Sequence, residues 1–441
     1  MTDILPFLVL AILMVLNAPV AYCLAIGALV FFMGSAGVPV QTYVQRLVSA
    51  TESFPLLAIP FFILAGVVMN EAGITGRIMK LADTMVGHMI GGLARVNVLL
   101  STLMGGMSGS ANADAAMQST VLVPEMTARG YDKAFSAAVT AFSSIITAII
   151  PPSIVMVMYS VATSGMVVTG PDGEPVLSAS IGTMFMAGVI PGLMLATMLG
   201  ATTYWRARKN NYPRMERAGW AERWTAFRES IWGLMLIVII MGGIYGGIFT
   251  PTEAAAVSAV YAFVIAVWVY KDIKLRDVPK VLLSSAAMSA MLLYIITNAV
   301  MFAFILTSEQ IPQTLSDWIV GLGLGKIGFL LVVNVMLLFI GMVMEPSAIV
   351  LIMAPILYPV AVKLGVDPVH FGIMMVVNME IGLCTPPVGL NLYVGSAISK
   401  LGLTEVTKAA LPWLATALVF LMLVTYIPDI TMFLPRLLGM H

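Results

Sequence analysis

The chain has 441 residues, 60% hydrophobic and 10% charged, and its 22 basic and 22 acidic residues cancel. An average soluble domain carries roughly 25% charged residues, and a nucleic-acid binder needs a basic footprint. The composition excludes a soluble enzyme, a disordered chain and a partnership with nucleic acid. With a mean hydropathy of +0.99, it points to an all-α polytopic membrane protein. A span takes about 20 apolar residues, so roughly ten to fourteen crossings fit.

Residues 4–34 are apolar with no basic residue before them, and read as a first membrane helix rather than a cleaved signal. TESFPLLAIPFFILAGVVM at 51–69 holds Pro55 and Pro60 and reads as a re-entrant hairpin. GGMSGSANADAAMQS at 105–119 is dense in Gly, Ser and Asn, which are poor in a helix interior. IIPPSI at 149–154 carries a Pro-Pro pair, which removes two backbone donors and frees carbonyls one turn back. The 165–178 loop has acids but no Lys or Arg. The stretch 205–230 carries seven basic residues, Arg206, Arg208, Lys209, Arg214, Arg217, Arg223 and Arg228. Apolar runs at 231–249 and 252–270 return the chain to a second basic cluster at 271–280. Both basic stretches then fit the cytoplasmic side, and 165–178 the outer side. ITNAVMFAFILTSEQIPQTLSDWIV at 296–320 reads as a second re-entrant hairpin. GMVMEPSAIVL at 341–351 and CTPPVGLN at 384–391 are two further interruptions.

Displaced by 235 residues, the chain matches itself without a gap: 106–165 falls on 341–400 with 12 identities in 60 positions. Pro124 meets Pro359, Gly130 meets Gly365, Asp132 meets Asp367, and Pro151-Pro152 meets Pro386-Pro387. Counting spans places the 125–133 loop inside and its equivalent at 363–368 outside, so the repeat is expected to be inverted. The division is then a first half at 1–205, a cytoplasmic basic loop at 206–230, and an inverted second half at 231–441.

Unwound backbone at bilayer depth is tolerated only where it is buried in protein or lines a cavity. Freed carbonyls and hydroxyls suit Na⁺, and half-helix N-termini suit a carboxylate. The candidates are Ser108, Gly109, Ser110, Asn112 and Asp114, then Pro151, Pro152 and Ser153. In the second half they are Glu345, Pro346, Ser347, Asn378, Glu380, Thr385, Pro386, Pro387, Gly389 and Asn391. Ionisable groups inside the membrane are functional candidates by default. Plainer readings stand beside these: Pro-Pro as a kink, Ser108–Ser110 as a packing seam, and Asp114 and Glu345 as groups held by local backbone donors. His88 and His370 read as loop or interface residues. Cys23 and Cys384 lie in apolar stretches, so neither a disulfide scaffold nor a zinc site is expected. With no HExxH, GxSxG or Walker sequence, the chain is not expected to be an enzyme.

FPLLAIPFFILAG at 54–66, SGSANADAA at 108–116, IIPPSIV at 149–155 and DPVHFGIMMVVNMEIGLCTPPVGLNLYV at 367–394 resemble the large permease subunit of TRAP (tripartite ATP-independent periplasmic) transporters, the DctM family. MEPSAIVLIMAPILYPVAV at 344–362 looks most like members carrying C4-dicarboxylates. The resemblance implies an elevator-type transporter with re-entrant hairpins and broken helices, a multi-pass protein of the bacterial inner membrane. It implies import of a small organic anion driven by Na⁺ as the coupling ion, with no other cofactor. It also implies a small DctQ-like membrane subunit and a DctP-like periplasmic binding protein as partners. Sodium sites are implied at 108–114, 151–153, 344–347 and 385–391. The open alternatives are a stand-alone sodium/anion symporter, a TRAP subunit for sialic acid, sugar acids, ectoine or keto acids, a membrane scaffold, and an intramembrane enzyme.

Overall fold

The computed structural model describes residues 5–440 apart from 17, 35–39, 53, 311–313, 315–317, 319, 320, 322 and 324. Among the described residues, seven helices are long and apolar enough to cross a membrane, or eight counting one bent pair. That is fewer than the apolar content suggests, because much of it is spent on shorter helices that meet at turns and breaks. The first apolar stretch is two helices, α1 (Leu5–Val15) and α2 (Val20–Gly34), not one. Pro19 starts the second, its carbonyl accepting from Tyr22 and Cys23. α3 spans Val40–Thr51.

The hairpin expected at 51–69 does not form, and of the one expected at 296–320 only the first limb can be described. Phe54–Leu57 is a 3₁₀ turn leading into α4 (Ala58–Glu71), and together they make one 18-residue span. Pro55 and Pro60 fall in or next to the first turn, where a missing N–H costs nothing. Residues 296–308 lie inside one unbroken helix, α13 (Val278–Ser308). Two of its polar residues bond back to their own helix: Thr297 donates to the Leu293 carbonyl at 2.7 Å and the Asn298 amide to Tyr294 at 2.8 Å, while Asn298 Oδ1 finds no donor among the described residues. Most of the proposed second limb, 311–320, lies outside the described residues.

The hairpins lie elsewhere. After α5 (Ile74–Val86), the pair α6 (Gly92–Ser108) and α7 (Ala111–Ala128) turns at Gly109. Then come α8 (Lys133–Ile149), a break, and α9 (Ile154–Thr163), bent by 46° from α8. A two-strand ribbon, β1 (Val168–Thr169) with β2 (Pro175–Val176), leads into the 29-residue α10 (Ile181–Lys209). Helices α11 (Trp220–Tyr245) and α12 (Pro251–Val264, continued as a π turn to Val269) fill the two apolar runs. The second half repeats the pattern. It has α14 (Gly325–Gly341), α15 (Pro346–Lys363), α16 (Pro368–Gly382), a break, α17 (Leu390–Ser399), α18 (Leu403–Tyr426) and α19 (Asp429–Leu437).

The matched residues do matched work. Gly130 and Gly365 both have positive φ, +86° and +74°, a conformation that costs glycine little. Asp132 and Asp367 both cap the next helix, accepting from the backbone N–H of Phe135 at 2.8 Å and of Val369 at 2.8 Å. Both Pro-Pro bonds are cis.

The inversion can be read from contacts. The Tyr131 hydroxyl donates to the Pro213 carbonyl at 3.2 Å, and the Met215 N–H to Gly87 at 3.1 Å. These contacts put the 125–133 loop beside the basic stretch after α10. Arg77 pairs with Asp272 at 2.7 Å and Lys80 with Glu229 at 3.1 Å, so α5 ties both basic stretches to one face. By the positive-inside rule that face is cytoplasmic. Gly365, in contrast, lies beside Pro171, which a Cβ would approach to 3.4 Å. The 363–368 loop is therefore at the opposite, outer face, with the 165–178 ribbon.

The two repeats clasp each other. α17 packs on α7 and α8 of the first repeat, and α9 packs on α15 of the second. At the centre, α8 is buried from Phe135 to Ile149 and α16 from Val369 to Gly382. Ala128 and Lys363, equivalent and both exposed, report the inversion. In oriented vesicles, Ala128→Cys is expected to react with an impermeant thiol reagent only from the cytoplasmic face, and Lys363→Cys only from the outer face. Labelling of both from one face would overturn the inverted arrangement.

Candidate functional site

Each hairpin tip touches the break of its own repeat. Gly109 has φ +59°, and a Cβ there would lie 2.5 Å from the Pro152 carbonyl oxygen. In the second repeat the Gly389 N–H donates to the Met342 carbonyl at 3.2 Å. There Gly382 meets Gly341 so closely that a Cβ would stand 2.8 Å from its backbone. The breaks also meet across the repeats. Cys384 donates to the Ala141 carbonyl at 3.0 Å, and the Asn391 amide to Ser144 Oγ at 2.9 Å. The second break thus lies against the middle of α8, just below the first.

Pro151 and Pro152 have no N–H, so the carbonyls of Thr147 and Ala148 lose their helical donors. No other donor among the described residues reaches them. The second break differs. Its equivalent carbonyls, Gly382 and Leu383, are recaptured by the N–H groups of Thr385 at 2.9 Å and Asn391 at 3.0 Å. Thr385 Oγ1 donates to Ile381 at 2.7 Å. Four half-helices start at these points: α7 capped by Ser110, α9 by Ser153, α15 by Glu345, and α17 after Gly389. Pro346 opens α15, where its missing N–H is harmless.

The acids fall into two kinds. Asp114 is buried and accepts from Ser101 Oγ, Thr147 Oγ1 and Gln118 Nε2, each at 2.8 Å. These partners come from α6, α8 and α7, so Asp114 pins the first hairpin to the broken helix. Glu345 caps α15, accepting from the Ser347 N–H at 3.1 Å and Ser347 Oγ at 2.7 Å. Glu380 is 1% exposed, and its Oε2 has no partner among the described residues. Asn378 donates to Asn334 Oδ1 at 2.7 Å, and Asn334 to Thr425 at 2.9 Å. Among the described residues, buried oxygens of Ser108, Asn112, Asn378 and Asn391 also find no donor. Oxygens left without donors repel anions and favour a hard cation. No group of three or more His, Cys, Asp or Glu side chains fit for a metal occurs among the described residues. The oxygens here are mostly neutral, which suits a monovalent ion. His370 bridges Thr431 and the Thr425 carbonyl and belongs to packing; both cysteines are free and buried.

Sequence reasoning missed Ser101, Gln118, Ser144, Thr147 and Asn334. One signal was available for the α8 members. Ser136, Thr140, Ser143, Ser144 and Thr147 repeat at three- and four-residue steps on one buried face of an otherwise apolar helix.

Known proteins resemble the whole chain. The family model described as the DctM component of the tripartite ATP-independent periplasmic transporter matches residues 7–430. The C4-dicarboxylate TRAP transporter large permease protein DctM of Rhodobacter capsulatus is 58% identical over 440 residues, covering 100% of each chain. Its counterpart in Pseudomonas aeruginosa is 46% identical, covering 91% of each. The isethionate TRAP transporter permease protein DctMQ of Oleidesulfovibrio alaskensis is 39% identical across 96% of this chain and 65% of its own. Among solved structures, the Alcanivorax borkumensis YdaH transporter overlays with a TM-score of 0.60 at 15% identity, covering 87% of this chain and 86% of that one.

Removing the Asp114 carboxylate would leave the Ser101 hydroxyl without an acceptor, at about 1–3 kcal/mol for an unpaired buried group, and would reduce Thr147 and Gln118 to their second contacts with Ser101. Asp114→Ala is expected to lower the melting temperature in detergent markedly, and Thr147→Val, which removes one donor, by less. An Asp114→Ala protein as stable as the parent would contradict the pinning role.

Proposed function

We propose that this chain, which belongs to the DctM family of large permease subunits of TRAP transporters, imports a C4-dicarboxylate together with Na⁺. It is a multi-pass protein of the inner membrane. The cation reading rests on one observation: acceptors without donors gather where hairpin tips meet broken helices. Ser108, Asn112, Glu380 and Asn391 supply side-chain oxygens, and Thr147 and Ala148 supply carbonyls. In a membrane interior such groups cost several kcal/mol each unless something satisfies them, and a bound Na⁺ does so.

The half-helix N-termini of α9 and α17 bring partial positive charge to the same region, which suits a carboxylate. Cation and anion then neutralise each other's desolvation, giving a physical reason for coupling. The dicarboxylate is chosen because the R. capsulatus and P. aeruginosa relatives are named for it at 58% and 46% identity. Relatives named for isethionate and sialic acid lie at 39% and 35%. The chain acts as a carrier with no covalent chemistry of its own. Membership of a tripartite family supports two partners, a small membrane subunit and a periplasmic protein that delivers the substrate. The clasped repeats are compact enough to shift as one body against α1–α5 and α11–α13, an elevator motion.

The test is uptake of labelled succinate into proteoliposomes holding this chain and its small subunit. Uptake is expected only with an inward Na⁺ gradient and the loaded binding protein. Ser108→Ala and Asn391→Ala are expected to raise the Na⁺ concentration for half-maximal uptake several-fold while the complex still assembles. Unchanged sodium dependence in both variants would overturn the cation site, and uptake of a different acid alone would overturn the substrate.

A further inference from the structure

A cavity of about 550 Å³ opens at the outer end of the molecule, away from the hairpin tips. α3 and the end of α13 line one side of it. The other side is the end of α9, the segment Ser164–Thr169 and the end of α15. Among the described residues two charged ones line it, Arg46 and Lys363, and both are basic. Neither has a carboxylate partner among the described residues. In a chain with no net charge, two cations in one recess with no acid among its described lining residues make a strong local bias. The Arg46 guanidinium lies over the Phe304 ring, 4.4 Å from its centre, which holds it at the wall. Ser164, Thr169 and Thr307 add hydroxyls.

The cavity also has a useful position. The ten-residue α9 runs from the Pro151–Ser153 break to the cavity wall, a rise of about 15 Å. A ligand in the cavity therefore stands one short helix above the candidate site, on the outer side. Its two walls belong to different parts of the fold: Lys363 rides on a repeat element, Arg46 on the helix before the first repeat.

We propose that this cavity is an antechamber for small dianions, where Arg46 and Lys363 receive the two carboxylates of the substrate before it reaches the hairpin tips. The inference rests on the dicarboxylate reading above. Low-dielectric walls focus the field of the two cations and raise the local concentration of an anion.

The experiment places a cysteine at Thr307 in the complex with the small subunit, in proteoliposomes, where the buried native thiols stay silent. Modification rates are compared for an anionic and a cationic methanethiosulfonate reagent. The anionic reagent is expected to react roughly tenfold faster, the low end of electrostatic enhancement. Succinate should slow it, and high salt should erase the difference. Arg46→Gln with Lys363→Gln should bring the ratio near one, while Arg46→Lys with Lys363→Arg should keep it. Equal rates in the parent, no slowing by succinate, or an unchanged ratio in the double Gln variant would overturn the antechamber. So would a preference that vanishes when anionic lipids are replaced by neutral ones, since the cations would then be holding headgroups. Normal succinate import without an anionic preference would remove the antechamber and leave the dicarboxylate reading. No succinate import, with the preference and its loss on substitution intact, would remove that reading and leave an anion site.

Discussion

A backbone carbonyl inside a membrane has no water to turn to, and every unusual feature here follows from that constraint. Two Pro-Pro pairs interrupt helices between the two faces, and each interruption must be enclosed. The fold encloses them by folding a hairpin tip against each break and then clasping the two repeats together. Glycines make the closeness possible: Gly109 against Pro152, and Gly341 against Gly382, leave no room for a Cβ. What local contacts cannot satisfy remains as a group of bare acceptor oxygens.

The repeat was legible in the sequence because its shared residues govern backbone geometry. Proline deletes a donor, glycine takes a positive φ and aspartate caps a helix, and each does so wherever it stands. Pro124 and Pro359, Gly130 and Gly365, and Asp132 and Asp367 therefore survive as matches when the apolar residues between them have drifted. The inversion was legible too, since seven basic residues at 205–230 set the orientation and span counting carried it along the chain.

The hairpins were less legible. The polar stretch 296–320 suggested one hairpin, but its first limb, 296–308, continues a long helix in which Thr297 and Asn298 bond back to the preceding turn. Prolines at 55 and 60 suggested another, but they sit at a helix start. The real turn at Gly109 is one residue inside a Gly- and Ser-rich run that reads equally well as a packing seam. The candidate site was legible as segments and not as a network. Ser101, Gln118 and Thr147 converge on Asp114 from three helices, and Asn334 reaches Asn378 from 44 positions away. Such partners are chosen by tertiary packing, which a local pattern does not encode.

The asymmetry between the breaks is the part that symmetry alone would not suggest. The second break recaptures its carbonyls, whereas those of Thr147 and Ala148 at the first find no donor among the described residues. The two halves thus do not contribute equally, and in the proposed function a cation completes what the protein leaves unpaired. A ligand that binds only the folded state raises its stability by mass action. The most direct measurement is the melting temperature of the purified complex in Na⁺ against choline at equal ionic strength. A higher melting temperature is expected in Na⁺, with a difference that grows with its concentration and shrinks in Asn391→Ala. The same melting temperature in both salts would contradict the cation site.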